Sequence, residues 1–368
     1  MLQFLFWFFI VVVFIQFIYY CFIFRKFSFL KLKNKYSQNV PISVIICAKN
    51  EEQNIKKIIP LLVNQNYDNF EIVLIDDASS DETLEVFEDF AKRYNNIKIV
   101  KVQNNEAFWG NKKFALTLGI KAAKNDYLLF TDANCYPNSK NWITEMSAHF
   151  DEDKTIVLGF RGYEKVKGSF LNKLIRFENL LSALYYFSWS KIKKPYSGNG
   201  KNLAYKKSEF FKTNGFINHI KIRSGHDTLF INEAADLRNT AICISPDSFI
   251  FSGAKNTFSS WYMQQRKKFE TAKHYKLFDK LQLALFFLTQ ILVIILSIIL
   301  ISWQFQWHIV VGLLVFRYLF SWIIIAKTAI KFNEQRLMYW FPVIEISLLF
   351  IQFTIFISNL SSKPARWK

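Results

Sequence analysis

Long apolar runs occupy both ends of the chain, and shorter apolar runs alternate with amphipathic stretches between them. Residues 1–24 carry no charged side chain, and a helix of that length, rising about 1.5 Å per residue, crosses a hydrocarbon core about 30 Å thick. We interpret this run as a retained membrane anchor, because a cleaved signal peptide would need a basic start and a small-residue cleavage site. Three further runs, about 281–303, 309–326 and 339–357, are also predicted to span a membrane.

Charged residues flank and interrupt these apolar runs. A cluster of Arg and Lys lies between positions 25 and 35, and a basic cluster beside a membrane helix marks its cytoplasmic side. We therefore expect an integral protein of the inner (cytoplasmic) membrane whose central region faces the cytoplasm. If every run crossed the membrane, the basic tail at 363–368 would lie outside, against the tendency of basic segments to stay on the cytoplasmic side. Either the last run lies in the membrane interface, or it spans and the tail is an exception to this tendency. Arg317 and Glu345 fall inside two of the runs and are expected to pair, because isolated charges are costly in lipid.

The central region has the pattern of strands alternating with helices. Its apolar runs are rich in β-branched and aromatic residues, as in strands buried on both faces of a sheet. The predicted strands lie at 42–47, 70–75, 97–102 and 127–131, and the predicted helices at 53–65, 79–94 with Ser80 as its cap, and 111–124. This alternation predicts βαβ crossovers, and therefore a mostly parallel sheet with helices on both faces. A later helix, 169–191, is rich in aromatic residues and is expected to be core, with contact to the bilayer surface as the alternative.

Domain organisation follows from these patterns. The predicted parts are a transmembrane helix at 1–24, a basic juxtamembrane linker at 25–39, an α/β domain at 40–275 and a membrane region at 276–368.

Composition narrows the class of partner. The net charge is +18, which suits either nucleic acid or anionic lipid combined with a phosphate-bearing substrate. The chain has no zinc-finger spacing, RNP-type aromatic pattern or long basic helix, so we expect no nucleic acid partner and favour anionic membrane lipids. The cysteines show no close pairing or metal spacing, which is typical of reduced thiols in the cytoplasm.

Oxygen-bearing side chains follow directly on two of the predicted strands. Asp132 and Asn134 come after the strand at 127–131 with i, i+2 spacing, and Asp76 and Asp77 follow the strand at 70–75. Ligands gather at the carboxyl ends of parallel strands, and carboxylate and amide oxygens suit a hard divalent cation that in turn holds a phosphate. Because Asp and Asn also simply end strands and begin turns, both interpretations stay open for this pair taken alone.

Several short motifs follow one another along the central region. They lie at 44–52, 75–81, 112–116, 131–134, 199–205, 225–227 and 265–269. In order and spacing this series resembles a family-2 glycosyltransferase of the GT-A fold, of the membrane-anchored bacterial type, over about residues 40–275. The resemblance implies an α/β fold with a Rossmann-like mixed sheet, a nucleotide-diphosphate sugar as donor and an inverting displacement at the anomeric carbon.

The resemblance also implies roles for residues on the donor side. Asp132 and Asn134 stand where the metal-binding D-x-D motif lies, so Mg²⁺ or Mn²⁺ is the expected cofactor. Asp77 stands where a carboxylate holds the nucleotide base, and Lys112 matches the lysine near the donor pocket, where a point charge suits phosphate. The residues implied to contact the nucleotide sugar are Ala48, Asn50, Glu51, Asp77, Lys112 and Asp132. Since an amide replaces the second carboxylate, metal affinity is expected to depend strongly on the bound diphosphate.

Inverting transfer needs one base to take the proton from the attacking hydroxyl. Asp227 matches the catalytic aspartate of the family, at the start of a predicted helix, 228–235. His226 replaces a neighbour that is usually acidic, and we interpret it as incidental. The residues implied on the acceptor and diphosphate side are Asn202, Gln265, Arg266, Lys268 and Phe269. Gln265, Arg266, Lys268 and Phe269 belong to a segment similar to Q-x-x-R-W, with Lys for Arg and Phe for Trp. The alternative interpretation of this segment is a basic helix on the membrane surface.

The expected protein is therefore a family-2 hexosyltransferase that acts on a lipid-linked or cell-envelope glycan acceptor at the cytoplasmic face. A processive polysaccharide synthase is the first alternative, although the short membrane region and the imperfect Q-x-x-R-W segment count against it. A non-catalytic scaffold that binds nucleotide sugars is the second, and Asn134 favours it. A nucleotidyltransferase would need a Gly-rich, lysine-bearing phosphate loop at the first strand, which the chain lacks.

Overall fold

The computed structural model describes residues 1–31, 39–103, 112–192, 194–222 and 224–362. In the first part of the chain the elements are α1 (Leu2–Ile18), which continues through a π-helical turn (Tyr19–Phe24) into α2 (Arg25–Ser28), then β1 (Ile42–Ala48), α3 (Glu52–Val63), β2 (Phe70–Asp76), α4 (Thr83–Arg93), β3 (Ile97–Lys101), α5 (Lys112–Ala122), β4 (Tyr127–Asp132), β5 (Cys135–Pro137), α6 (Trp142–Ser147), β6 (Ile156–Leu158) and β7 (Arg161–Tyr163).

The second part begins with a long helix. Its elements are α7 (Phe170–Lys191), β8 (Leu203–Lys206), α8 (Lys207–Lys212), a 3₁₀ turn (Ile217–His219), α9 (Thr228–Ala234), β9 (Thr240–Ile242), a 3₁₀ turn (Pro246–Ser248), β10 (Ile250–Ser252), α10 (Phe258–Ala272), α11 (Leu277–Ser302), α12 (Trp307–Lys331), a 3₁₀ turn (Gln335–Trp340) and α13 (Phe341–Ser361). The chain divides into two compact units. A helical unit comprises Met1–Lys31, Gly168–Ile192 and Asn256–Lys368, and a sheet unit comprises Leu32–Lys167 and Lys193–Lys255.

A seven-stranded sheet in the order β3-β2-β1-β4-β8-β6-β9 organises the sheet unit. β1 pairs in parallel with β2 and β4, and β2 pairs in parallel with β3. β8 runs antiparallel to both β4 and β6. The predicted mostly parallel sheet is confirmed, and β8 makes it a mixed one. A second sheet has three strands in the order β5-β10-β7.

The core of the sheet unit forms where continuous apolar strands meet helix faces. All of β1 is buried, as the uninterrupted β-branched run predicts for a strand covered on both sides. The helix α5 approaches the sheet closely at Gly119, where an added Cβ would lie 2.1 Å from Ile75 Cδ1. A glycine is therefore required there, and the close packing fixes the helix whose first residue is Lys112.

The start of α4 differs from its prediction. The helix begins at Thr83, and Ser80 does not cap it. Instead, the Ser80 N–H donates to Asn50 Oδ1 at 2.8 Å, and Asp81 Oδ1 accepts from the Thr83 N–H at 3.0 Å. These side-chain bonds hold the preceding residues in a loop, which is the usual way Asn and Asp compete with a helix.

The helical unit contains long apolar helices. Among the described residues, four helices are long and apolar enough to cross a membrane, Leu2–Ser28, Leu277–Ser302, Trp307–Lys331 and Gln335–Ser361, and they coincide with the predicted runs. Arg317 Nη2 lies 3.8 Å from Glu345 Oε1 and donates to Gln16 Oε1 at 3.2 Å. The predicted pairing of the two charged residues is therefore confirmed.

The helices α7 and α10 pack within the helical unit rather than the sheet unit. In α7 the aromatic side chains of Phe177 and Phe187 are fully buried, which confirms the core interpretation for most of this helix. The predicted α/β domain at 40–275 includes both helices. That residues 40–275 carry the activity stays a prediction.

Candidate active site

The carboxyl ends of three neighbouring strands meet at one edge of the large sheet. Pairing of β1 with β2 places Ala48 opposite Asp76, and pairing of β1 with β4 places Cys47 opposite Asp132. The carboxylates that the sequence places at strand ends are thereby collected along one edge, where open α/β sheets bind their ligands.

A tight loop pair forms one side of this edge. Asn50 and Ala78 adopt left-handed φ values of 55° and 52°, which are uncommon for residues other than glycine and indicate a tightly determined turn. The Asp77 N–H donates to Ala48 O at 2.9 Å, and the Glu51 N–H donates to Thr83 Oγ1 at 2.9 Å. The predicted base-binding residues Ala48, Asn50, Glu51 and Asp77 therefore belong to one connected loop structure.

The Asp77 carboxylate stands apart from the hydrogen bonds of that loop. Among the described residues, none donates a hydrogen bond to it, and burial raises its pKa above the ordinary value. A half-buried carboxylate without a donor is suited to accept a hydrogen bond from a ligand N–H. This geometry is compatible with a hydrogen bond from a nucleotide base to Asp77. That contact stays a prediction.

Two lysines converge on the carboxylate of Asp132. Lys112 Nζ donates to Asp132 Oδ1 at 2.5 Å, and Lys201 Nζ lies 3.3 Å from Asp132 Oδ2. Burial by itself would raise the pKa of Asp132, but the charges of Lys112 and Lys201 outweigh it and hold that pKa well below its ordinary value. Burial would likewise lower the pKa of Lys112, but the carboxylate of Asp132 raises it. Asp132 and Lys112 are therefore both charged at neutral pH.

The oxygens of Asp132 and Asn134 face a common point, as the i, i+2 spacing predicts. That point is taken by the Lys201 ammonium, whose Nζ also donates to Asn134 Oδ1 at 3.1 Å. One carboxylate and one amide are few ligands for a hard cation, and no group of three or more His, Cys, Asp and Glu side chains is placed to hold a metal in the part of the chain that the structure describes. With an ammonium already bridging its oxygens, the pair fits a divalent cation poorly. The expected Mg²⁺ or Mn²⁺ stays a prediction.

Asp227 caps α9 and points its carboxylate toward the strand edge. Its Oδ1 accepts from the Thr228 N–H and its Oδ2 from the Gly200 N–H, both at 2.8 Å. Burial would raise the pKa of Asp227, but His226 and these N–H donors outweigh it and hold the pKa below its ordinary value. Asp227 is therefore ionised at neutral pH and able to accept a proton.

One cavity joins Lys112, Asp132 and Asp227. Its polar lining consists of Lys112, Thr131, Asp132, Gly200, His226 and Asp227, and its apolar lining of Leu116, Phe130, Leu203, Tyr205 and Phe216. His226 thus lies in the site, although the sequence interpretation treated it as incidental, and burial lowers its pKa. Lys201 and His226 are the residues that sequence reasoning missed. Lys201 lies next to Asn202 in the motif at 199–205, and its place in that motif is the sequence signal that could have identified it.

The structure places Asn202 away from the cavity. Its side chain is fully buried, accepts from Trp142 Nε1 at 3.0 Å, and donates to Phe160 O and Ser248 O, both at 2.8 Å. These bonds tie the turn before β8 to neighbouring segments, so this side chain is placed to hold the fold. Its implied acceptor contact does not agree with that position.

The segment 265–269 lies in the helical unit. Gln265 Nε2 and Lys268 Nζ donate to Glu178, at 3.2 and 3.1 Å, and Arg266 Nε donates to Asn359 Oδ1 at 2.8 Å. Phe269 is half-buried on the same helix. The predicted acceptor and diphosphate roles of Gln265, Arg266, Lys268 and Phe269 stay predictions.

Replacing Gly200 by alanine is expected to disturb the candidate base. An added Cβ would lie 2.7 Å from Asp227 Cβ and 3.1 Å from His226 Nε2, so Asp227 has to move. Misplacement of a reacting group by less than 1 Å can lower rates by about tenfold to hundredfold, and we expect that loss in kcat for sugar transfer or donor hydrolysis. Gly253→Ala is the matched control, because an added Cβ there meets nothing within 4 Å. Unchanged kcat in Gly200→Ala would contradict the placement of Asp227.

Replacing Asn202 by leucine is expected to destabilise the sheet unit. Leucine has a similar size but leaves the Trp142 N–H and the Phe160 and Ser248 carbonyls without their partner, at a cost of about 3 kcal/mol in the free energy of unfolding. Thermal unfolding in detergent measures this loss. Asn138→Leu serves as the control, because that side chain is exposed and makes one bond, to Pro246 O. Equal stability of both variants would show that the buried bonds contribute little.

Known proteins match parts of this chain. The family model described as "Glycosyl transferase family 2" matches residues 43–236. A dolichyl N-acetyl-alpha-D-glucosaminyl phosphate 3-beta-D-2,3-diacetamido-2,3-dideoxy-beta-D-glucuronosyltransferase of Methanococcus voltae is 29% identical over 211 residues, which cover 56% of this chain and 59% of that protein. A poly(ribitol-phosphate) beta-glucosyltransferase of Bacillus spizizenii is 30% identical over 129 residues, 34% of this chain and 19% of that protein. The match thus spans less than two thirds of the length of either relative.

A solved structure shares the fold. The mannosyltransferase PcManGT from Pyrobaculum calidifontis, in complex with GDP-Man and Mn²⁺, superposes with a TM-score of 0.58 at 14% identity, covering 90% of this chain and 98% of that one. Together with the mixed sheet order, this similarity confirms the predicted GT-A-type α/β fold.

Proposed function

This chain belongs to glycosyl transferase family 2, and we propose that it is a membrane-bound inverting glycosyltransferase. It moves a sugar from a nucleotide-diphosphate sugar to a lipid-linked or cell-envelope glycan acceptor at the cytoplasmic face of the inner membrane. The observation that carries the proposal is the cavity that brings Lys112 and Asp132 together with Asp227. Such a displacement requires cationic groups that bind the diphosphate, and it requires an ionised carboxylate that accepts the proton of the acceptor hydroxyl.

The residues divide the reaction between them. Lys112 faces the phosphates of the donor, and Asp77 accepts a hydrogen bond from the nucleotide base. Asp227 takes the proton of the acceptor hydroxyl as its oxygen attacks the anomeric carbon from the side opposite the leaving diphosphate. The Gly200 and Thr228 N–H groups hold the Asp227 carboxylate in position, so the base meets the hydroxyl with little reorganisation.

A lipid-linked acceptor is supported by the apolar helices. Helices of this length and composition keep the protein at a membrane, and a substrate with a lipid tail is held at the same surface. The Methanococcus voltae relative is named for transfer to a dolichyl-linked sugar phosphate, which supports the same acceptor class here.

An assay with the full-length protein in detergent tests the proposal. It is incubated with radiolabelled UDP-, GDP-, CDP- and dTDP-sugars and a membrane lipid extract, with and without added Mg²⁺ or Mn²⁺. We expect sugar transfer to lipid, or slow donor hydrolysis, with inverted anomeric configuration in the product. Consumption of none of the donors would contradict the activity, retained configuration would contradict the mechanism, and long product chains would favour a processive synthase.

A further inference from the structure

Lys201 occupies the position at which the sequence predicts a divalent cation. Its Nζ lies 3.3 Å from Asp132 Oδ2 and 3.1 Å from Asn134 Oδ1. A metal ion on the same oxygens would lie about 2.0 to 2.6 Å from each, so it has no room beside the ammonium. We propose that the Lys201 ammonium, together with Lys112, binds the diphosphate of the donor in place of a divalent cation. This inference rests on the proposed function and concerns how the same site neutralises its substrate.

The backbone around Lys201 is held on both sides. The preceding Gly200 N–H donates to Asp227 Oδ2 at 2.8 Å, and the Lys201 N–H donates to Asn199 Oδ1 at 3.1 Å. The following residue, Asn202, is fully buried and fixed by bonds to Trp142, Phe160 and Ser248. The side chain therefore starts from a fixed point between the candidate base and the core, unlike that of an ordinary surface lysine.

The charges around Asp132 favour the binding of an anion over the binding of a divalent cation. Its single carboxylate faces the ammonium groups of both Lys112 and Lys201, so the three groups carry a net charge of about +1. A divalent cation entering here meets repulsion from both ammonium groups at short range, whereas a diphosphate is attracted by them. Asn134 adds no negative charge to offset this, which explains why an amide is sufficient at that position.

Both ammonium groups can reach a ligand without leaving Asp132. The side chains of Lys112 and Lys201 are 32% and 25% exposed. An ammonium has three N–H donors, so one can stay on the carboxylate while the others contact phosphate oxygens. Asp132 then positions the lysines, and the lysines bind the diphosphate.

The transfer step balances without a metal. The acceptor oxygen forms a bond to the anomeric carbon as the bond from that carbon to the diphosphate oxygen breaks, and the diphosphate leaves with the electron pair. The proton of the acceptor hydroxyl goes to Asp227. Lys112 and Lys201 keep their protons and stabilise the negative charge that grows on the leaving oxygen.

Binding measurements on the full-length protein in detergent test this inference. Titration calorimetry with UDP, GDP, CDP and dTDP is run in EDTA and again with Mn²⁺, and electron paramagnetic resonance follows Mn²⁺ binding to the protein without nucleotide. In the wild type we expect one diphosphate to bind in EDTA within about threefold of its affinity with Mn²⁺, because the built-in charges replace the ion. In Lys201→Ala we expect affinity in EDTA to fall about tenfold to hundredfold, and in the wild type without nucleotide we expect no Mn²⁺ binding.

Lys121→Ala is the matched control, since that lysine is exposed on α5 outside the cavity, and it should bind as the wild type does. A wild type that binds a diphosphate only with Mn²⁺ overturns the role of Lys201 while leaving the proposed function intact, and this comparison needs no variant. Unchanged affinity of Lys201→Ala in EDTA also overturns it. A wild type that binds none of the nucleotides in either buffer contradicts both the inference and the proposed function.

Discussion

Asp227→Asn is expected to lower kcat for sugar transfer by about two to four orders of magnitude, the usual contribution of a general base. The amide cannot take a proton from the acceptor hydroxyl. It also keeps only one acceptor oxygen for the Gly200 and Thr228 N–H groups, so one of these bonds is lost. Because the diphosphate is bound by lysines, its affinity should change by less than about threefold. The measurement is single-turnover transfer together with nucleotide titration.

Asp236→Asn provides the control for this substitution. Asp236 also accepts backbone hydrogen bonds, from the Arg238 N–H at 2.7 Å and the Asn239 N–H at 2.8 Å. It does not line the cavity. We expect its kcat to equal that of the wild type. Full activity in Asp227→Asn would remove this residue from the role of base, and an equal loss in both variants would indicate a general effect on folding.

Arg176→Met is expected to give the largest loss of stability, about 3 to 5 kcal/mol in the free energy of unfolding, as for a buried ion pair broken on one side. Arg176 Nε donates to Glu334 Oε1 at 3.0 Å, and its Nη2 donates to Glu334 Oε2. Both side chains are buried, with 8% and 5% exposure, so removing the guanidinium leaves a carboxylate without its partner. Thermal unfolding in detergent would show the loss.

A double variant separates the pair from the rest of the packing. Arg176→Met combined with Glu334→Leu removes both charges, and we expect it to recover most of the lost stability, because an apolar pair needs no desolvation of ions. Lys273→Met is the control in the same unit, since Lys273 is exposed in its pair with the half-buried Glu270, and a pair with one exposed partner is worth about 1 kcal/mol or less. A double variant as unstable as Arg176→Met would show that the guanidinium acts through other contacts.

Much of the fold was predictable because its signals are local. A continuous β-branched run is visible in any window of the sequence, and β1 lies where that run predicts it. The exception near Ser80 is instructive, because the residue that removes it from the helix is Asn50, 30 positions away. A cap is therefore predictable only when no distant side chain competes for the same backbone N–H.

The candidate site was predictable in part for the same reason. The carboxylates and amide at strand ends follow from strand length and from the carboxyl-end rule for parallel sheets. His226 was set aside because a single histidine without a nearby partner in sequence is usually incidental. Its position in the cavity depends on where the loop before α9 folds back to the sheet, and no local pattern carries that information.

By itself the sequence determined the apolar helices, the order of strands and helices in the central region and the identity of the residues at the strand ends. Periodicity, residue type and i, i+2 spacing are properties of a short stretch of chain. Only the tertiary structure decided which groups meet there. Lys201 reaches Asn134 across 67 positions, and Asn202, its neighbour, turns into the core. Both residues lie in the turn before β8 (Leu203–Lys206). Their directions are set by contacts with distant segments, Asp132 and Asn134 for Lys201 and Trp142, Phe160 and Ser248 for Asn202, and no short stretch of sequence carries that information.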